Sequence, residues 1–265
     1  MMIIGERINS TRVHIQEAMK ARNTAFIIKE AKKQIEAGAL FLDINCAMSL
    51  GDEAQDIDWV ISVIQSEIKD VSICIDSPNY LAIQRALEAY RAKGELFINS
   101  ITGEQDRIDR IVPLAVKHDT KLIALTMGSG GMPNSAEDRL SIAKDILARV
   151  VNKGFKAENL YFDPLIRPIS TEPEQTKEFL RSIFMIKSLG VKTICGLSNV
   201  SYGLPNRKVI NSTFLAMAMY AGLDAAILDP TDKNIISNFK ASNALLCDDE
   251  YCTEYIGAFR KGRLI

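Results

Sequence analysis

Eight short apolar runs recur along this chain: MIIGER, ALFLDIN, SICIDS, LFINS, KLIALTM, LYFDP, TICGLSN and AAILDP. Each is apolar on both alternations, as a parallel strand buried on both faces must be. Amphipathic stretches follow them at residues 23–37, 56–68, 80–92, 105–117, 137–153, 174–189, 211–221 and 234–246. In one of these, Ile108, Ile111, Val112 and Ala115 fall at helical spacing with Arg, Asp and Lys on the other face. Gly38, Gly94, Gly154, Gly190 and Gly222 stand just past helical runs, where a left-handed residue ends a helix. An eightfold strand–helix alternation with no Pro-rich linker and no composition shift predicts one (β/α)8 barrel, residues 1–265 as a single domain, over two doubly wound halves. The tail after Leu246 is expected to form a further helix or an edge element.

Composition narrows the partners. With 32 Lys+Arg against 33 Asp+Glu, a net charge of −1 and 47% hydrophobic residues, the chain is neither disordered nor basic enough to hold nucleic acid or an anionic membrane surface. No basic leader with an apolar segment and no long apolar span is present, so a cytoplasmic protein is expected. The five scattered cysteines (Cys46, Cys74, Cys195, Cys247, Cys252) read as reduced thiols rather than a disulfide framework or a zinc site.

In a barrel of this kind, chemistry gathers where the strands end. The polar residues ending the runs are Glu6 and Asn9, Asp43 and Asn45, Asp76, Asn99, Thr126, Asp163, Asn199 and Asp229. Amides and carboxylates with few cations suit a flat, neutral heterocycle bearing several N–H groups, because a carboxylate accepts paired hydrogen bonds and an amide both donates and accepts. A phosphate ligand calls for Lys, Arg or a glycine-rich cradle, and the stretch at residues 127–132 lacks a P-loop ending. Each Asp taken alone reads equally well as a helix N-cap, Asp76 before Ser77-Pro78 and Asp163 before Pro164 included. The ligand reading rests on the whole set converging on one mouth.

The segments IIGERIN, CIDS, INS, FDPLI and GLSNVS, with the run NRKVINSTFLAMAMYAGLDAAILD, resemble the methyltetrahydrofolate:corrinoid/iron–sulfur protein methyltransferases. More broadly the whole chain is similar to the pterin-binding barrels, which include the folate module of cobalamin-dependent methionine synthase and dihydropteroate synthase. The resemblance implies a pterin-binding barrel that moves a methyl group between N5 of 5-methyltetrahydrofolate and the cobalt of a corrinoid. It implies that Asp76, Asn99 and Asp163 hold the pterin, with Asp163 on the 2-amino and N3 edge. Asn199 would lie near N5 as the catalytic residue, stabilising the developing charge through a hydrogen bond. Glu6, Asp43 and Arg207 are expected behind these, Glu6 and Asp43 either ordering water or in a structural role.

No Asp-x-His-x-x-Gly stretch is present, and the two histidines are His14 and His118, so a partner protein is expected to carry the corrinoid and this chain to bind no metal. Residues 46–51 and 128–133 depart from the acetogenic enzymes and leave the partner open between acetyl-CoA-pathway and demethylation metabolism, where tetrahydrofolate accepts the methyl group. A homodimer is implied, with Phe214, Met217, Met219 and Tyr220 read as buried core in preference to interface. Two other functions compete: a non-catalytic folate-binding or corrinoid-docking protein, and a dihydropteroate synthase, which would need basic groups at the late strand ends. A Schiff-base aldolase is disfavoured because Lys121 and Lys192 begin their strands. Trp59 is expected to pack on the core.

Overall fold

The computed structural model describes residues 1–49 and 51–265; Leu50, within the departing segment 46–51, lies outside the described residues. The first half runs β1 (Met2–Asn9), α1 (Val13–Lys20), α2 (Thr24–Glu36), β2 (Phe41–Asn45), α3 (Glu53–Glu67), β3 (Ile73–Asp76), α4 (Tyr80–Ala89), β4 (Leu96–Ile101) and α5 (Gln105–Lys117). The second runs β5 (Lys121–Leu125), α6 (Ala136–Asn152), β6 (Leu160–Asp163), α7 (Gln175–Lys187), β7 (Lys192–Gly196), α8 (Arg207–Tyr220), β8 (Ala225–Leu228), α9 (Lys233–Leu245) and α10 (Thr253–Arg260). All eight strands pair in parallel and in chain order, and β8 closes on β1, giving the expected (β/α)8 barrel.

The double alternation in the sequence becomes two separate cores. Ile4, Phe41, Cys74, Phe97, Ile123, Tyr161, Ile194 and Ala225, one from each strand, fill the barrel interior. Phe97 makes edge contacts with Phe41 at 5.0 Å and Tyr161 at 4.9 Å between ring centroids. The alternate residues, among them Leu42, Ile44, Ile73, Ile75, Leu122 and Phe162, face the helices instead. Two residues further along the inward face, the apolar floor gives way to Asp43, Asp76, Asn99 and Asp163. Lys121 and Lys192 lie at the opposite end of the barrel, over the rings of Phe41 and Tyr161 at 5.8 and 5.1 Å.

Helix starts follow capping chemistry. Asn23, Asp52, Asn79, Ser135 and Asp232 accept backbone N–H groups at the starts of α2, α3, α4, α6 and α9. Gly38, Gly154, Gly190 and Gly222 have the expected positive φ, but Gly94 does not. A Cβ on Gly94 would stand 2.3 Å from the Val71 carbonyl oxygen, so close backbone approach, not handedness, requires glycine there. The tail forms α10 after a short 3-10 turn at Glu250–Cys252. The four residues read as core divide: Phe214 and Met219 are buried, whereas Met217 and Tyr220 are exposed. Trp59 packs against the core with the Arg22 guanidinium 4.8 Å from its ring centre. No helix among the described residues is long and apolar enough to cross a membrane.

Candidate functional site

Parallel register sets the site before any side chain is considered. Asn45 of β2 pairs with Asp76 of β3, and Asp76 with Asn99 of β4, so three polar ends stand at one height on adjacent strands. Asn45 Nδ2 donates to Asp76 Oδ2 at 2.8 Å. Asp76 therefore does not cap α4; Asn79 does. One turn of the pleat below, the buried Asp43 accepts a 3.5 Å contact from Asn99 Nδ2 and the Cys74 thiol. Burial and the neighbouring Asp76 hold the Asp43 carboxyl well above its ordinary range. Burial also raises Asp76, against the Asn45 bond; Glu53 pushes it further up and Arg107 draws it down.

Across the mouth, Asp163 ends β6 and accepts the Leu165 backbone N–H at 2.7 Å, an Asx turn rather than a helix cap, since α7 begins twelve residues later at Gln175. Desolvation pushes its carboxyl from 3.8 to about 6. Thr126, fully buried, donates to the Asp163 carbonyl and fixes its backbone.

Asn199 lies off the strands, on a 3-10 helix at Leu197–Ser201 directly after β7. Its side chain is exposed and hydrogen-bonds no other described residue, and its Nδ2 sits over Gly196, 3.2 Å from where a Cβ would be. The turn itself is held from both sides. Ser198 Oγ donates to Glu6 at 3.0 Å, and Arg207 donates to Ser201 Oγ at 2.9 Å and to the Ser198 carbonyl. Glu6 also pairs with Arg12 at 3.2 Å, and burial raises its carboxyl.

Not every polar strand end belongs to this group. Asn9 closes a local turn onto Thr11, and Asp229 is taken by Arg7 at 2.8 Å and by Thr231. The mouth is also richer in cations than the run ends suggest, because they come from loops and helix starts: Arg12, Arg107, Arg139, Arg167 and Arg207. Most are committed to the chain. Arg107 donates to the carbonyls of Ser77, Pro78 and Ser100, tying the loop after β3 to the end of β4. The fully buried Arg139 holds the Pro164 carbonyl and Gln175, and Arg167 pairs with Glu172 and the Pro133 carbonyl. Arg107 and Ser198 were readable only through their places, one in the first turn of a helix and the other beside Asn199. Among the described residues, no group of His, Cys, Asp and Glu is placed to hold a metal ion.

A carboxylate with a free oxygen at Asp76, an amide at Asn99 and a second carboxylate at Asp163 stand at the strand ends above the apolar floor, with the unbonded Asn199 amide on the turn after β7. Such a set is chemically suited to a planar ring rich in N–H donors. Residues 5–229 match the family described as pterin binding enzyme. The chain is 30% identical over its whole length to a methylcorrinoid:tetrahydrofolate methyltransferase of Eubacterium limosum, covering 98% of that protein. It is also 30% identical over 244 residues to methionine synthase of Mycobacterium tuberculosis, matching 20% of that longer chain. In fold it superposes on Yersinia pestis dihydropteroate synthase with a pterine-sulfa conjugate, at TM-score 0.70 and 15% identity, covering 93% of this chain and 94% of the other. The Xanthomonas albilineans dihydropteroate synthase in complex with 7,8-dihydropteroate gives TM-score 0.68 and 16% identity, with 92% of each chain covered. The chain belongs to the pterin-binding enzyme family.

Proposed function

We propose that residues 1–265 act as one methyltransferase domain that exchanges a methyl group between N5 of tetrahydrofolate and the cobalt of a corrinoid carried by a partner protein. The observation that carries this reading is the division of the mouth: acceptors fixed by register at Asp76, Asn99 and Asp163, and one uncommitted amide, Asn199, on a turn braced by Glu6 and Arg207. The full-length similarity to a methylcorrinoid:tetrahydrofolate methyltransferase supports the demethylation direction, with tetrahydrofolate as acceptor. The dihydropteroate synthase alternative is not favoured, because Arg167, the cation after β6, is already paired with Glu172 and so is poorly placed to take up a diphosphate.

In this reading Asp163 receives the 2-amino and N3 hydrogens, and Asp76 and Asn99 bind the rest of the pterin edge. As acceptor, N5 uses its lone pair for the new bond to methyl and gives its proton to solvent; in reverse the bond pair stays on nitrogen, which takes a proton from solvent, and in both directions Asn199 donates a hydrogen bond to the charge that develops at N5. A neutral amide does this without titrating, and its removal is expected to lower the transfer rate about 100-fold or more, as for other donors aimed at developing charge. The corrinoid supplies the cobalt that holds the methyl group when the partner is bound. We also propose a cytoplasmic homodimer, for which Phe184 of α7 and Met217 and Tyr220 of α8 supply exposed apolar surface.

The test is calorimetric titration of 5-methyltetrahydrofolate into the wild type and Asn199→Ala, followed by mixing with reduced free cobalamin while its visible spectrum is read. Equal binding with loss of cobalt methylation only in the variant supports the reading. Absence of folate binding by the wild type refutes it.

A further inference from the structure

Resting on the pterin reading of Asp76, we infer that Asn45, at the end of β2, is a positioning residue that fixes the Asp76 carboxylate and leaves one of its two oxygens for the ligand. The geometry is determined at both ends of the amide. Asn45 Oδ1 accepts the Ala47 backbone N–H at 3.1 Å, which an NH2 group cannot do, so the oxygen side faces the loop and the NH2 side faces Asp76. Ser10 locks the same end: its hydroxyl accepts the Met48 N–H at 2.9 Å and so directs its own proton to Asn45 Oδ1 at 3.3 Å. The Ser10 N–H donates to the Asn45 carbonyl at 2.9 Å. With three anchors behind it, Nδ2 meets Asp76 Oδ2 at 2.8 Å, and Asp76 Oδ1 has no partner among the described residues.

The charged surroundings make that one bond matter. Asp76 is pushed toward its neutral form by burial and by Glu53 of α3, lies beside the buried Asp43 of β2, and is relieved only by Asn45 and by Arg107 of α5. Cys46 and Cys74, the thiols nearest it, are themselves held protonated by burial. The Cys74 proton goes to Asp43, and the side-chain hydrogen bond that reaches Asp76 comes from Asn45. A protonated Asp76 would lose the acceptor strength that pterin N–H groups need. Asn45 thus sets both where the free oxygen points and the pH below which it fails. The same amide connects Asp76, through Ser10, to the backbone of Met48 on the exposed rim.

The experiment is carboxyl 13C NMR of the ligand-free chain through a pH titration, with the Asp76 signal identified by its absence from Asp76→Asn. Wild type, Asn45→Ala and Ser10→Ala are compared, with circular dichroism reporting the fold. The Asp76 midpoint is expected to rise in Asn45→Ala and to rise less in Ser10→Ala, which touches Asp76 only through Asn45. Folate affinity near neutral pH should fall about tenfold or more in Asn45→Ala, as for a hydrogen bond to a charged group, and its acid limb should move to higher pH. An unchanged Asp76 midpoint in folded Asn45→Ala overturns the inference. If Asn45→Ala does not fold, an unchanged midpoint in Ser10→Ala does so. Because the NMR midpoint needs no ligand, a wild type that binds no folate refutes the pterin reading by a separate result.

Discussion

Replacing Asp163 by asparagine separates the cost of a buried carboxylate from its use. The Asp163 carboxyl is displaced by burial from 3.8 to about 6 in the folded chain. At 1.36 kcal/mol per tenfold change in proton affinity, that displacement corresponds to about 3 kcal/mol. The sign follows from proton counting. Between those two pH values the folded state holds more protons than the unfolded one, so the contribution is fully present below about 3.8 and is lost as pH rises through about 6. The amide that replaces the carboxyl in Asp163→Asn does not titrate, and whatever it costs by facing the Leu165 and Gly196 N–H groups is the same at every pH. The difference in unfolding free energy between variant and wild type should therefore shift by about 3 kcal/mol in the variant's favour from about pH 4 to about pH 7.5, or about 6 °C in relative melting temperature. Urea denaturation of both ligand-free proteins across that range measures it. Folate binding should disappear in the variant and, in the wild type, weaken on acidification through about pH 6. A stability difference that stays flat with pH would show that Asp163 is not held in the desolvated state argued for it.

Two substitutions probe the scaffold beneath the site. Phe97→Ala removes the ring between Phe41 and Tyr161 in the barrel floor and should cost about 3–5 kcal/mol in urea denaturation at neutral pH. Gly94→Ala places a methyl against the Val71 carbonyl, backbone that cannot turn aside, and should lose about 1–3 kcal/mol by the same measurement.

The fold was legible because both alternations of each strand are apolar, a pattern that parallel sheet wrapped by helices needs and few other folds tolerate. The inward carboxylates and amide were legible for the same reason: Asp43, Asp76, Asn99 and Asp163 fall on the inward parity of runs whose other inward residues are Phe41, Cys74, Phe97 and Tyr161. What pattern reading could not supply was pairing across the barrel. Asp229 looks like its neighbours at the strand end, yet Arg7, 222 residues away in sequence, takes it. The arginines of the mouth were hidden because they start helices or sit in loops, where a cation reads as solvated surface. Gly94 carried the right residue for the wrong reason, since close approach of the chain near Val71 leaves no local mark in the sequence.

In the proposed reading, Asn199 stands off the strands, on the 3-10 turn after β7, apart from the residues that would recognise the ring. Strand ends are rigid, and recognition of a flat ring benefits from that rigidity because no ordering cost remains to be met on binding. A donor aimed at charge as it develops gains from the same fixity, because it then needs no reorganisation as the charge appears. A carboxylate in its place would set a negative charge beside the negative charge that develops at N5 and offer no hydrogen to it. A neutral amide on this short turn adds no charge of its own, while Glu6 accepts the Ser198 hydroxyl and Arg207 donates to the Ser198 carbonyl, holding the turn beneath it. On this proposal recognition falls to the sheet and the reaction to the turn, and a fold shared with the dihydropteroate synthases at 15–16% identity leaves the chemistry to the residues each chain places at the mouth.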